Sequence, residues 1–226
     1  VAGWLIVAGA LLSPLHVAGA RSFALHMLEH ELLMLGGAPL LVLSRPLPVM
    51  LWALPHDIRL GIGRFIHRPG FGNSWSVLTH PVVATVAQAA ALWLWHAPAL
   101  FGLALASEGW HVLQHLSFMA TALLFWASML DETRMRRHPM SAVIGLFFTA
   151  LVSGALGALM AFSQSPWYAG YVRLGMTPFG LTPVEDQQLA GLLMWIPGGV
   201  VHAAAALAIV SRLLRRATQV RVVHEK

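Results

Sequence analysis

SFALHMLEHELLMLGGAPLLVL, residues 22–43, is a continuous apolar stretch. A helix of about 20 such residues is what a hydrocarbon core of about 30 Å requires. Inside it, His26, His30 and Met34 recur at four-residue spacing, and the pattern His-x-x-[Glu/Gln]-His-x-x-x-Met returns 85 residues later as HVLQHLSFM, residues 111–119. Further apolar windows fall near residues 1–17, 80–101, 109–130, 140–162 and 187–211. The 226-residue chain is 58% hydrophobic and only 10% charged, with a mean hydropathy of +0.70. Soluble domains carry about 25% charged residues, so the composition predicts an all-α, polytopic transmembrane bundle. We expect six membrane helices in one integral membrane domain, residues 1–226. The windows show helical spacing and no alternating ten-residue strand pattern, which argues against a β-barrel. The first window begins at Val1 with no Met, consistent with a longer chain bearing a seventh helix upstream. It lacks the basic n-region and small-residue cleavage site of a signal peptide.

The charges orient the bundle. Arg45, Arg59, Arg64 and Arg68 follow the second window, Arg134, Arg136 and Arg137 the fourth, and Arg212, Arg215, Arg216, Arg221 and Lys226 the sixth. Only Arg21 and Arg173 fall on the other side. The positive-inside rule then places both ends in the cytoplasm, with the 1–2, 3–4 and 5–6 loops outside the inner membrane. Topology accounts for the net charge of +5, so no nucleic-acid partner is inferred; the expected surroundings are the lipid bilayer.

The same topology sorts the histidines by depth. His56, His67, His80, His138 and His224 fall at the cytoplasmic side, whereas His16, His26, His30, His96, His111 and His115 converge near the outer ends of helices. At about 100° per residue, with His26 at zero, His30 falls at about 40°, Met34 at about 80° and Glu29 at about −60°. His111, His115, Met119 and Gln114 take the same angles in their own helix. Each helix therefore presents two imidazoles and a thioether on one face, and polar faces in membranes turn into the bundle. Glu29 and Gln114 flank the pairs, where they would accept the second ring N–H and fix a tautomer.

With no cysteine in the chain, thiolate sites and disulfides are excluded. Imidazole suits copper, zinc and haem iron, and a thioether shifts the choice toward Cu(I). The zinc-protease motif needs Glu directly after the first His, and Met27 stands there instead. A bis-His haem b across two facing helices stays open as an alternative, as does a non-metal accessory subunit of a respiratory complex. No nucleophile paired with a base and no phosphate loop is visible, so we expect no catalytic turnover.

Elsewhere, Ser153, Gly154, Gly157, Ala158 and Ala161 form a small-residue packing face, and Trp52–Pro69 reads as a short surface helix. Glu185 and Asp186 suit a helix cap or first turn, or an outer-shell position at a metal entry point. His202 reads as an isolated buried polar residue, too deep for the outer cluster.

Three more stretches, LWLWHAPALF at 92–101, the outer loop SPWYAGYVRLGMTPFGLTPVEDQQ at 165–188, and DQQLAGLLMWIPGG at 186–199, complete a pattern with the two HxxxH helices. From about residue 11 to 211 the chain resembles the polytopic CtaG family of cytochrome c oxidase assembly factors. The resemblance implies a role in copper insertion, with cytochrome c oxidase subunits or another respiratory complex as partner. His26, His30, His96, His111, His115, Asp186 and Gln187 sit on its motif positions. One departure is His16, where an acidic residue is more usual after Ser13-Pro14. The expected site is thus a copper centre of His26, His30, His111 and His115, joined by His96 and His16, then Met34 and Met119, with Glu29, Gln114, Asp186 and Gln187 around it.

Overall fold

The computed structural model describes residues 1–132 and 139–224. Arg134, Arg136, Arg137, His138 and Lys226, which entered the charge argument, lie outside the described residues. Every regular element among the described residues is helical. In chain order the helices are α1 (Ala2–Leu12), α2 (Pro14–Gly19), α3 (Phe23–Glu31), a π-helical turn (Leu32–Gly37), α4 (Ala38–Ser44), α5 (Pro46–Trp52), α6 (His56–Ile66) and α7 (Pro69–Leu78). They are followed by α8 (Pro81–His96), α9 (Pro98–Ala106), α10 (Glu108–Leu130), α11 (Pro139–Phe162), α12 (Ala169–Leu174) and α13 (Pro183–His224).

Four of the described stretches are long and apolar enough to cross a membrane: Phe23–Ser44, Glu108–Leu130, Met140–Phe162 and Pro183–Arg215. A fifth arises if Gly70–Leu78 and Pro81–His96, bent by 65° at their junction, form one broken span. Of the six expected spans, four, or five with the bent pair, are thus found by length and composition among the described residues. The window at 1–17 is broken into the 11-residue α1 and the start of the six-residue α2, because Ser13 precedes Pro14 and is extended, with φ −90° and ψ 170°. Proline disfavours helical backbone in the residue before it yet suits the first turn of a new helix. Ala97 before Pro98 does the same (ψ 128°), so the window at 80–101 ends at His96 and restarts as α9. The helix expected within Trp52–Pro69 is α6, which has no buried residue.

Small residues set the helix spacing. A Cβ placed on Gly157 would lie 2.7 Å from the Gly191 carbonyl oxygen, and one on Gly191 would lie 2.6 Å from the Ala161 nitrogen. The backbones of α11 and α13 thus meet directly, as the small-residue face predicts. On the other side of the bundle, a Cβ on Gly37 would lie 2.8 Å from Val7, which brings α1 onto the π turn. Around these contacts α13 packs on α3, and α10 on α8 and α4. Large apolar side chains such as Phe147 (68% exposed) and Ile144 (61%) cover the outer face of α11. Such a surface is normal only against an apolar solvent or partner, and lipid is the solvent the composition demands.

Candidate metal centre

The site begins with a cap supplied from far along the chain. Ser22 is the N-cap of α3; its Oγ accepts from Leu25 N at 3.3 Å and donates to Asp186 Oδ1 at 2.7 Å. Asp186 also accepts from Phe23 N at 2.6 Å and from Ala24 N at 3.3 Å. A carboxylate of α13 thereby satisfies amides that the start of α3 leaves open, and it favours the positive end of the helix dipole. Its neighbours tie down the outer loop: Gln187 Oε1 accepts from Trp167 N at 2.6 Å, and Gln187 Nε2 donates to Ser165 O at 3.1 Å. Glu185 forms its own capping box with Thr182, accepting from Thr182 N and Oγ1, both at 2.8 Å. Asp186 thus acts on the backbone that carries His26 and His30, and Gln187 on the outer loop, neither touching an imidazole in the contacts found.

With α3 held at that depth, His26 and His30 turn inward, 2% and 1% exposed. One nitrogen each from His26, His111 and His115 lies within 4.8 Å of the others. His115 Nε2 stands 3.0 Å from His111 Nε2 and 3.2 Å from His30 Nε2. The four histidines expected to form the centre are brought together by α3 and α10.

His115 Nε2 has either one proton or one in-plane lone pair, so a neutral ring forms one good hydrogen bond through it. Its two nitrogen contacts must share that one proton or lone pair, so at most one of them is a well-aligned hydrogen bond. His26 Nε2, His30 Nδ1 and His115 Nδ1 are buried and find no hydrogen-bond partner among the described residues. Buried polar atoms normally have partners. A cation among the rings would resolve both features, since it would accept lone pairs from several nitrogens at once.

The remaining expected residues divide by position. His16, on α2, stacks on His111 with ring centroids 5.5 Å apart. Its Nδ1 is paired with Glu29 Oε1 at 2.8 Å, and the same oxygen stands 3.9 Å from His115 Nδ1. Glu29 is fully buried and orients His16, where it was expected to serve the HxxxH pairs. Gln114 is also fully buried, but neither of its polar side-chain atoms has a partner among the described residues. His96 donates from Nδ1 to Leu92 O at 2.6 Å, which leaves its Nε2 lone pair 3.2 Å from Met27 Sδ. Phe118 packs against both His30 and His96, with centroids 4.8 and 6.1 Å away, so His96 stands beside the cluster. Met27, assigned no part by sequence reasoning, is thus in contact with His96.

Met34 is elsewhere. It lies one turn deeper than His30, beyond the start of the π turn, whose i→i+5 bonds underwind the helix. Its sulfur accepts from Gln88 Nε2 at 3.4 Å and its carbonyl from Trp126 Nε1 at 2.9 Å. Met119 is partly buried against the apolar core.

The outer wall is aromatic. Tyr168 donates to His96 O at 2.9 Å and Tyr171 to Gly19 O at 2.8 Å. Burial pushes both phenols above their ordinary range, so they stay protonated and keep donating.

The family model described as "Cytochrome c oxidase caa3 assembly factor (Caa3_CtaG)" matches residues 1–216, and the chain belongs to that family. No curated protein matches the chain, and no solved structure does.

Proposed function

From membership of the caa3 assembly-factor family, we propose that this chain holds copper at its imidazole cluster and yields it to cytochrome c oxidase subunits during assembly, without turnover chemistry of its own. Copper is then cargo, held by His26, His111 and His115, with His30 in contact with His115. His16, oriented by Glu29, lies at the more exposed side of the cluster and would receive or release the ion. In this reading the cluster opens toward the outer face of the inner membrane, and both described ends are cytoplasmic.

The observation that carries the reading is the contact of His115 Nε2 with two other ring nitrogens, at 3.0 and 3.2 Å. Two imidazole nitrogens on one first-row ion at about 2.0 Å stand roughly 3.3–3.5 Å apart. Loading the ion therefore asks the rings to part by a few tenths of an ångström. A haem would need its axial rings on opposite faces of a macrocycle, and rings already in N···N contact leave no gap for that plane. The geometry therefore favours copper over haem b.

The test is elemental analysis and an optical spectrum on protein purified without chelator or metal affinity resin. The comparison is a variant with His26, His30, His111 and His115 all changed to Ala. Copper bound by the native chain and lost in the variant is the expected result. A Soret band would replace copper by haem. No metal and no pigment, even after copper is offered, would leave the rings as packing groups in a scaffold subunit.

A further inference from the structure

Below the imidazole cluster, a second polar chamber lies in the middle of the bundle. Its polar lining comes from Glu31, Met34, Gln88, Thr149, Ser153 and His202, on α3, the π turn, α8, α11 and α13. Its volume is about 30 Å³, larger than the roughly 10–15 Å³ that one water needs by this measure. Glu31 is eight residues past Phe23, about 12 Å of helix, which places the chamber near the centre of a core about 30 Å thick. No Lys or Arg is among the residues that line it.

Acceptor atoms outnumber the hydroxyl donors where these groups meet. Glu31 Oε2, Gln88 Oε1 and Thr149 Oγ1 are buried without a hydrogen-bond partner among the described residues. Gln88 has turned its amide N–H to Met34 Sδ at 3.4 Å, so its carbonyl oxygen is the end left over. His202 gives its Nδ1–H to Gly198 O at 2.6 Å. Its ring lies flat on Trp126, with centroids 5.6 Å apart and 12° between planes. The neutral ring's Nε2 is then a lone pair. A Cβ on Gly198 would stand 3.9 Å from both Glu31 Oε2 and Ser153 Oγ, so α13 passes these oxygens at about contact distance. The Glu31 and Gln88 oxygens and the His202 lone pair, with no Lys or Arg in the lining, form a set that a cation completes, and the Thr149 hydroxyl can turn its one proton toward only one of them. Buried charges in membranes are otherwise paired.

We propose that this chamber is a second metal site, distinct from the imidazole cluster, that takes one divalent first-row cation through Glu31, Gln88 and His202. Carboxylate, amide oxygen and one imidazole make a harder donor set than the imidazoles above. The two sites therefore differ in the ions they favour, and the deeper one does not depend on the copper reading. Glu31 follows His30 directly in the chain, so one helix serves both.

The experiment loads the full chain, in detergent and stripped of metal, with Zn2+ and counts bound ions after gel filtration. Wild type, Glu31→Gln, His202→Phe and the triple variant His26→Ala/His111→Ala/His115→Ala are compared. Glu31→Gln keeps the shape and removes the charge; His202→Phe keeps the stack on Trp126 and removes the nitrogen. The expected result is one fewer ion in Glu31→Gln and in His202→Phe, with copper binding to the upper cluster kept. A Zn2+ count in both variants equal to wild type overturns the proposal and leaves the chamber to water. The triple variant tests the upper site separately, because its loss of copper speaks to the imidazole cluster and not to Glu31.

Discussion

Replacing Asp186 by Ala tests whether the imidazole cluster depends on a cap delivered from α13. The change removes the acceptor of Ser22 Oγ at 2.7 Å, Phe23 N at 2.6 Å and Ala24 N at 3.3 Å, in a place where Asp186 is 1% exposed. A hydrogen bond to a charged group contributes about 1.5–3 kcal/mol, and a buried donor left unsatisfied costs a similar amount. Two short bonds dominate and the third is long, so the expected loss is about 3–5 kcal/mol. Ser22→Ala removes one of these bonds and the N-cap, at about 1–2 kcal/mol. Because Ser22 and Asp186 bond each other, the double variant should be less destabilised than the sum of the singles by about 1 kcal/mol. Reversible denaturant unfolding of the purified chain, followed by circular dichroism, measures all three. Copper affinity should fall with stability in Asp186→Ala, since His26 lies only one turn beyond the cap. A loss below about 1 kcal/mol, strictly additive with Ser22→Ala, would refute the claim that this cap holds α3 in place.

The packing of α11 on α13 makes Gly191→Ala unfavourable by about 1–3 kcal/mol, because its Cβ would lie 2.6 Å from Ala161 N; Gly9→Ala, with nothing within 4 Å, should stay within about 0.5 kcal/mol in the same unfolding assay. Glu29→Gln keeps the shape but weakens the hold on His16, and loss of such an outer-shell partner lowers metal affinity by about 10–100-fold; competition titration with a chromogenic copper chelator reads this, and an unchanged affinity would remove Glu29 from the site. Copper affinity should also weaken as pH falls from about 8 to 5, since a proton competes for each ligating nitrogen and a free imidazole titrates near 6.5. A flat profile over that range would mean that the histidines are not the ligands.

Much of the upper site was legible from the chain alone because helix geometry is local. Once residues 22–43 and 109–130 are read as helices, the four-residue spacing of His26 and His30, and of His111 and His115, puts each pair on one face. The apolar surroundings turn those faces inward, and α3 and α10 do meet there. The breaks were less visible. Pro14 and Pro98 sit inside apolar windows, and hydropathy does not register the extended backbone that each imposes on the residue before it. Met34 was expected beside the imidazoles on a uniform 100° repeat, but it lies a turn deeper and within a π turn that a fixed period cannot represent.

Composition and helical period, then, determine by themselves an all-helical membrane chain and the faces that carry imidazole, because both follow from side chains and their near neighbours. Only the tertiary structure decides that Asp186 caps a helix 163 residues away, that Glu29 serves His16, and that His202 shares a chamber with Glu31 and Gln88 and is not isolated. These pairings depend on how helices cross. The crossings are set by contacts such as Gly157 with Gly191, where backbone approach replaces any sequence signal of partnership.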